Sequence, residues 1–405
     1  MAFYIEHKDI LDAHARIRKH IDNTPLIKST TLSDLTGCEA LFKLENLQMT
    51  ASFKERGALN KLLSLNARQK KQGIITASAG NHAQALAYHA SRLGVSVKIV
   101  MPRYSPIVKI KSTEHWGAEV ILEGNTFEDA MAHSREIEKK EKRVFVHPFD
   151  DPLIAAGQGT IGLELMGSSF KDSIDAVVVP VGGGGLISGI ATYLKEVAPH
   201  ISIIGVEEAN CDAMHQALQT GVPTLVDPAP VIADGIAVRE VSSENLRIVN
   251  ALVDEVVTVS SDEIANSIML MLEIEKLVVE GAAATPLAAL INNRLPQLAG
   301  KTVVSIVSGG NIDVNLLSRI IDQGLAFDGR VARLETVVED RPGNLEGLLT
   351  VFRQAGANIL EVNHHRLSPR APIGQVGVSI TIETRDRLHL GEIEAALKNF
   401  GYPLL

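Results

Sequence analysis

Lys54 stands in Ser52-Phe53-Lys54-Glu55-Arg56-Gly57-Ala58, at the mouth of a segment whose apolar residues Ala58, Leu59, Leu62 and Leu63 recur at helical spacing. An amine on such a first turn attacks carbonyls when it is desolvated enough to be neutral. Solvated lysines on helix termini are common, and spacing alone does not report burial. Far downstream, Gly182-Gly183-Gly184-Gly185 follows the apolar run 176–181 (AVVVPV). Four glycines between a buried strand and a helix let the backbone approach an anion, and their amides, with that of Leu186 at the helix start, form a phosphate cradle. A carbonyl met by an amine and a phosphate met by amides are the two ends of pyridoxal phosphate.

The glycines admit a rival of equal weight on their own. Gly183-x-Gly185-x-x-Ser188 approaches a dinucleotide fingerprint, and Glu207 follows the next strand roughly 20 residues on, where a ribose-binding acid would stand. Two further segments bear on the choice. Ser78-Ala79-Gly80-Asn81-His82 opens a helical stretch; its amides suit a carboxylate, and Ser78 or Asn81 would serve equally as an ordinary helix cap. Ser308-Gly309-Gly310-Asn311 follows an apolar run ending at Val307. Strand carboxyl ends line the ligand crevice of an open parallel sheet, so a hydroxyl there suits a ring nitrogen, with a plain turn as the alternative.

These residues need a scaffold that sets them at strand and helix ends. Residues 97–101, 119–122, 176–181, 201–206 and 302–307 read as strands, and 81–93, 126–140, 187–197 and 262–272 as helices. Short β-rich runs separated by amphipathic helices imply a parallel sheet covered on both faces. The pattern changes near residue 330: strand 331–339, the turn Asp340-Arg341-Pro342-Gly343, helix 345–355, extended 357–367, strand 375–384 and helix 390–399. This βαββα order predicts a separate α+β module.

Composition bounds the rest. A chain of 405 residues, 45% hydrophobic and 21% charged, fits a globular protein of two or three domains. A net charge of −9 speaks against a general nucleic-acid partner. No apolar run is long enough to span a membrane, no signal peptide is evident, and Cys38 and Cys211 build neither a disulfide framework nor a metal cluster. A cytoplasmic enzyme is the expectation.

Glu45-Asn46-Leu47-Gln48 leading into Ser52-Phe53-Lys54, then Ser78 to Gln84, Gly182 to Leu186 and Ser308 to Asn311, closely resemble in type and order the serine/threonine dehydratase family of pyridoxal-phosphate enzymes. Ile232-Ala233-Asp234-Gly235-Ile236-Ala237-Val238 and Glu280-Gly281-Ala282 add to the match, which covers roughly residues 5–322. The resemblance implies the tryptophan-synthase-β-like α/β fold (fold type II). Two open parallel-sheet lobes would form a catalytic domain over 1–325, with the smaller lobe, about 50–150, inserted in the larger. Residues 331–405 resemble an ACT regulatory domain, with Asp340 to Gly343 as its signature turn. The dinucleotide alternative falls away on this match.

The resemblance also implies roles. Lys54 would hold the cofactor and take the substrate's α-proton, Phe53 would pack on the ring, Asn81 would meet the ring hydroxyl and Ser308 the ring nitrogen. Gly182, Gly183, Gly184, Gly185 and the Leu186 amide would hold the phosphate, and Ser78, Gly80, Asn81 and His82 would surround an amino-acid carboxylate. The implied reaction is loss of water from L-threonine or L-serine, giving 2-oxobutanoate or pyruvate and ammonia. 3-Hydroxyaspartate dehydratase and serine racemase are alternatives on the same scaffold. Serine racemases of the family carry serine after the position of Ser78, where this chain has Ala79. An amino-acid sensor without activity is the non-enzyme alternative, disfavoured by the intact Lys54, glycine loop and Ser308. Some relatives bind a divalent cation after a Gly-Val-Glu strand end. Gly205-Val206-Glu207 is present, but Ala213 stands at the second carboxylate and Asp212 is one residue off. Glu207 is therefore kept as a candidate ligand for a monovalent or divalent cation. An amino-acid effector is expected beside Gly343 and Asn344, and assembly as a homodimer or homotetramer.

Overall fold

The computed structural model describes residues 3–227, 229–366 and 371–405. The chain divides into two units, Met1–Asp313 and Val314–Leu405. In the first, two sheets share the strands in a nested order. Strands β1 (Leu26–Lys28) and β2 (Glu39–Leu44) belong to the larger sheet, β3 (Ile74–Ala77), β4 (Val97–Met101), β5 (Glu119–Leu122) and β6 (Val144–Phe145) form the smaller one, and β7 (Ala176–Pro180), β8 (Ser202–Glu208), β9 (Glu255–Val259) and β10 (Thr302–Val307) return to the larger. The smaller lobe is thus an insertion between β2 and β7.

The larger sheet runs β1-β2-β10-β7-β8-β9, parallel throughout except for β1. Every residue of β7 is buried, as expected of a central parallel strand covered on both faces. Helices Pro152–Met166 and Gly185–Val197 pack on one another, and Gly281–Ile291 lies along β7 and β10. The smaller sheet, β5-β4-β3-β6, is entirely parallel. Parallel strands direct all their carboxyl ends one way, so the loops after β3, β7 and β10 gather functional residues at a common crevice.

The second unit contains helix Val314–Phe327, β11 (Val331–Glu339), helix Asn344–Ala355, β12 (Asn358–His365), β13 (Gln375–Glu383) and helix Arg387–Asn399. Its sheet, β11-β13-β12, is antiparallel. The unit begins earlier than the spacing of its strands suggests, because helix Val314–Phe327 packs on β11. The predicted extended stretch 357–367 ends at Leu367, which lies outside the described residues. No helix among the described residues is long and apolar enough to cross a membrane.

Candidate active site

Helix Lys54–Ser64 starts at Lys54 itself, with Phe53 at its N-cap. The loop before it is stitched to the loop after β10. Phe53 N donates to Ser308 O at 3.0 Å, Gly310 N to Ala51 O at 2.9 Å, and Asn311 Nδ2 to Thr50 O at 2.8 Å. Ala51 takes φ 53°, an uncommon left-handed conformation for a residue with a Cβ, which the stitching holds in place. Lys54 Nζ donates to Pro148 O at 2.8 Å and lies 5.1 Å from the centre of the Phe53 ring. Burial pushes its pKa down to about 8, and the charge of Glu280 offsets part of that shift. Near neutrality about a tenth of this amine is the uncharged nucleophile, far more than of a solvated lysine.

Successive residues on an α-helix are turned by roughly 100°, so Arg56 points away from the side that presents Lys54. Arg56 is fully buried between two carboxylates, with Nε and Nη2 on Glu45 at 2.7 Å each, and Nη1 and Nη2 on Glu164 at 2.6 and 2.8 Å. Lys43 from β2 completes the cluster, 2.6 Å from Glu164 Oε2. Burial alone would raise the Glu45 carboxyl, and the Arg56 guanidinium overrides it, holding Glu45 below the usual carboxylate range.

The four glycines follow β7 and lead into helix Gly185–Val197, with Gly184 as N-cap at φ 86°. No side chain fits there. A Cβ on Gly183 would lie 2.3 Å from the Phe149 ring, one on Gly182 2.9 Å from Ile236 Cα, and one on Gly185 2.9 Å from Phe149 O. Asn245 pins the loop by donating to Gly183 O at 2.7 Å, and Tyr4 holds Asn245 in turn, at 2.6 Å. Phe53, Lys54, Gly182, Gly183, Gly184, Gly185, Leu186 and Ser308 line one cavity, together with Pro148, Phe149, Gln158, Gly235, Ile236 and Glu280. The Ser308 Oγ is buried with no hydrogen-bond partner among the described residues. A desolvated amine, an anion cradle at a helix N-terminus and an unpartnered buried hydroxyl in one cavity fit the carbonyl, phosphate and ring nitrogen of pyridoxal phosphate.

The segment after β3 stands at the edge of this cavity rather than in its lining. Ser78 Oγ accepts from Gly80 N at 3.3 Å, and Gly80 caps helix Asn81–Arg92. Asn81 Nδ2 donates to both Glu280 oxygens, at 2.8 and 3.0 Å, so Asn81 reaches the cavity wall through Glu280. His82 is buried, with Nε2 3.2 Å from Val146 O; burial first, and the Lys54 charge second, push its pKa down to about 3. It is a neutral imidazole at ordinary pH.

A family model for pyridoxal-phosphate dependent enzymes matches residues 17–309. The chain belongs to this family. The L-threonine ammonia-lyase of Thermotoga maritima is 45% identical to it over 395 residues, covering 98% of each protein. That of Geobacter sulfurreducens is 46% identical, covering 97% of each. Among solved structures, serine racemase from Dictyostelium discoideum superposes with a TM-score of 0.72 at 36% identity, covering 77% of this chain and 100% of that one.

Of the expected ligand positions of this pyridoxal-phosphate dependent enzyme, Glu207 is not in the cavity's lining, and Gly343 and Asn344 belong to the second unit. Glu207, 1% exposed, accepts from Met214 N at 2.9 Å and His215 N at 2.7 Å, which occupies both carboxyl oxygens at the start of helix Ala213–Thr220. Burial pushes its pKa up to about 8 against the pull of those amides. Among the described residues no three His, Cys, Asp or Glu side chains gather to hold a metal ion. Gly343 (φ 93°) caps helix Asn344–Ala355 in the second unit, and Asn344 Nδ2 donates to Glu339 O at 3.2 Å. Glu280, Phe149, Gly235 and Ile236 are among the cavity residues that spacing does not single out. Gly235, Ile236 and Glu280 lie in recognisable motifs, but nothing in those motifs gives a role for the Glu280 side chain.

Proposed function

We propose that this enzyme is an L-threonine ammonia-lyase, converting L-threonine to 2-oxobutanoate and ammonia and L-serine to pyruvate and ammonia. The observation that carries this reading is the Lys54 amine, lowered to about 8, facing the glycine cradle and Ser308 in one cavity. Curated relatives bearing that name align with the chain from end to end. Bound pyridoxal phosphate supplies an electron sink that makes the α-hydrogen of an amino acid acidic. Lys54 would hold the cofactor at its carbonyl carbon, and its neutral amine would serve as the base for the substrate's α-proton. The amides of Gly182 to Leu186 hold the phosphate end. Ser308 would meet the ring nitrogen as a neutral hydroxyl, which does not enforce a protonated ring. With such a ring the cofactor would be a modest electron sink, which favours loss of the β-hydroxyl as water. The water lost is returned on hydrolysis, so the net change is threonine to 2-oxobutanoate plus ammonia.

Ala79 offers no proton to the opposite face of Cα, which favours elimination over racemisation. We assign the second unit, whose βαββα order and Asp340–Gly343 turn resemble an ACT domain, to amino-acid-dependent regulation beside Gly343 and Asn344. It would also serve assembly as a homodimer or homotetramer in the cytoplasm. The test is release of 2-oxo acid and ammonia from L-threonine, L-serine, D-serine and 3-hydroxyaspartate. L-Threonine turnover that disappears in Lys54→Ala is expected. No product from any of the four, with cofactor bound, overturns the assignment.

A further inference from the structure

Glu280 is 3% exposed, yet it lines the cavity that holds Lys54 and Ser308. Both its oxygens face one donor, Asn81 Nδ2, at 2.8 and 3.0 Å. A carboxylate only accepts, so the edge of Asn81 turned toward it is the amide nitrogen. The other edge is fixed independently: Asn81 Oδ1 accepts from Asn311 Nδ2 at 2.8 Å, and that nitrogen also donates to Thr50 O. The surrounding backbone leaves room for this acid. A Cβ on Gly309 would lie 2.5 Å from Glu280 Oε1, and one on Gly235 3.1 Å away. Glu280 N donates to Gly309 O at 3.1 Å, tying the acid to the loop that carries Ser308.

We propose that Glu280 is a positioning residue for the reaction, acting through Asn81: as a carboxylate it turns the donor edge of that carboxamide toward the cavity, and on protonation it loosens this hold. The groups that face Glu280 are the Asn81 carboxamide, Asp234 on the turn that carries Gly235, Lys109 paired with Asp234, and Lys54 across the cavity. Burial raises Glu280 to about 7; Asn81, Lys109 and Lys54 lower it and Asp234 raises it further, so its charge changes near neutral pH.

The inference rests on the lyase reading for its kinetic arm only. Holoenzyme, Glu280→Gln and Glu280→Ala are compared by the absorption band of the bound cofactor and by kcat and KM for L-threonine, from about pH 5.5 to 8.5. The wild type is expected to show an acid limb near 7 in kcat, with a matching change in the band. Glu280→Gln keeps an acceptor for Asn81 and is expected to retain cofactor while losing that limb. Glu280→Ala is expected to lower kcat about 100-fold with little change in KM, and to shift the band at every pH. A Gln variant whose pH profile overlays the wild type, or an Ala variant with an unchanged band and kcat, overturns the proposal. If the wild type releases no 2-oxo acid from L-threonine, the lyase reading fails, and the band's pH titration with and without Glu280 still decides the positioning role.

Discussion

Arg56→Met tests whether the seat of Lys54 depends on the charge cluster beneath it. Methionine fills much of the arginine volume but removes four hydrogen bonds to Glu45 and Glu164, each between 2.6 and 2.8 Å. Lys43 remains, 2.6 Å from Glu164, so the variant buries two carboxylates against one ammonium. Truncating one partner of a buried ion cluster costs ~3–5 kcal/mol, chiefly the desolvation of the charge left unpaired. The sign with pH follows from Glu45. In the wild type its pKa is held below the ordinary value, so its stabilisation is present above that value and lost as pH falls through the depressed one. Without Arg56, burial raises the same carboxyl, and the penalty grows as pH rises. Urea unfolding of the two proteins should therefore differ more at about pH 8 than at about pH 5. Adding Glu45→Gln should recover part of the loss at the higher pH. A difference below about 1 kcal/mol at the higher pH, or a larger one at the lower, would refute the charge-balance reasoning.

Gly183→Ala places a methyl 2.3 Å from the Phe149 ring, so the ring or the loop must move. Overpacking of this kind costs about 1–3 kcal/mol, and titration of apo-protein with pyridoxal phosphate should show affinity reduced about 10- to 100-fold. Lys54 in the apo-protein should react with an amine-selective reagent with a midpoint near 8 rather than the ordinary 10.5, and Glu280→Gln should move that midpoint lower, because the Glu280 charge raises it. A midpoint above about 10 would mean that the amine is solvated.

What spacing reveals here depends on whether the environment of a residue is local. Strands β4, β5, β10 and β11 are legible because apolar or β-branched residues carry the pattern through each. β2 (EALFKL) is not read as a strand although five of its six residues are buried, because Lys43 interrupts the apolar run and its partner Glu164 lies far away in sequence. β6, of two residues, is too short to carry a period, and β3 (IITA), although as long as β5, is likewise not read. The site divides the same way. Glycine at positions 182 to 185 is legible from residue type and its place after a strand, although the contacts that enforce it come from Phe149, Met214, Ile236 and Asn245, distant in sequence. The lowered pKa of Lys54, the orphaned hydroxyl of Ser308 and the Asn81–Glu280 contact exist only once distant segments meet.

Lys54 is tied from two directions, and the two ties do different work. The loop pairing of residues 50–53 with 308–311 sets where the helix begins, through backbone hydrogen bonds and the Asn311 side chain. The Arg56 cluster sets how the helix is rotated about its axis. A guanidinium forked between two carboxylates is satisfied only within a narrow range of orientation, whereas an apolar side chain in the same space tolerates rotation. Buried ion clusters are often no more stable than the hydrophobic residues that could replace them. The physical advantage of this one is direction: helix rotation about Arg56 would swing Lys54 off Pro148 and out of line with the cradle, and the cluster resists that motion.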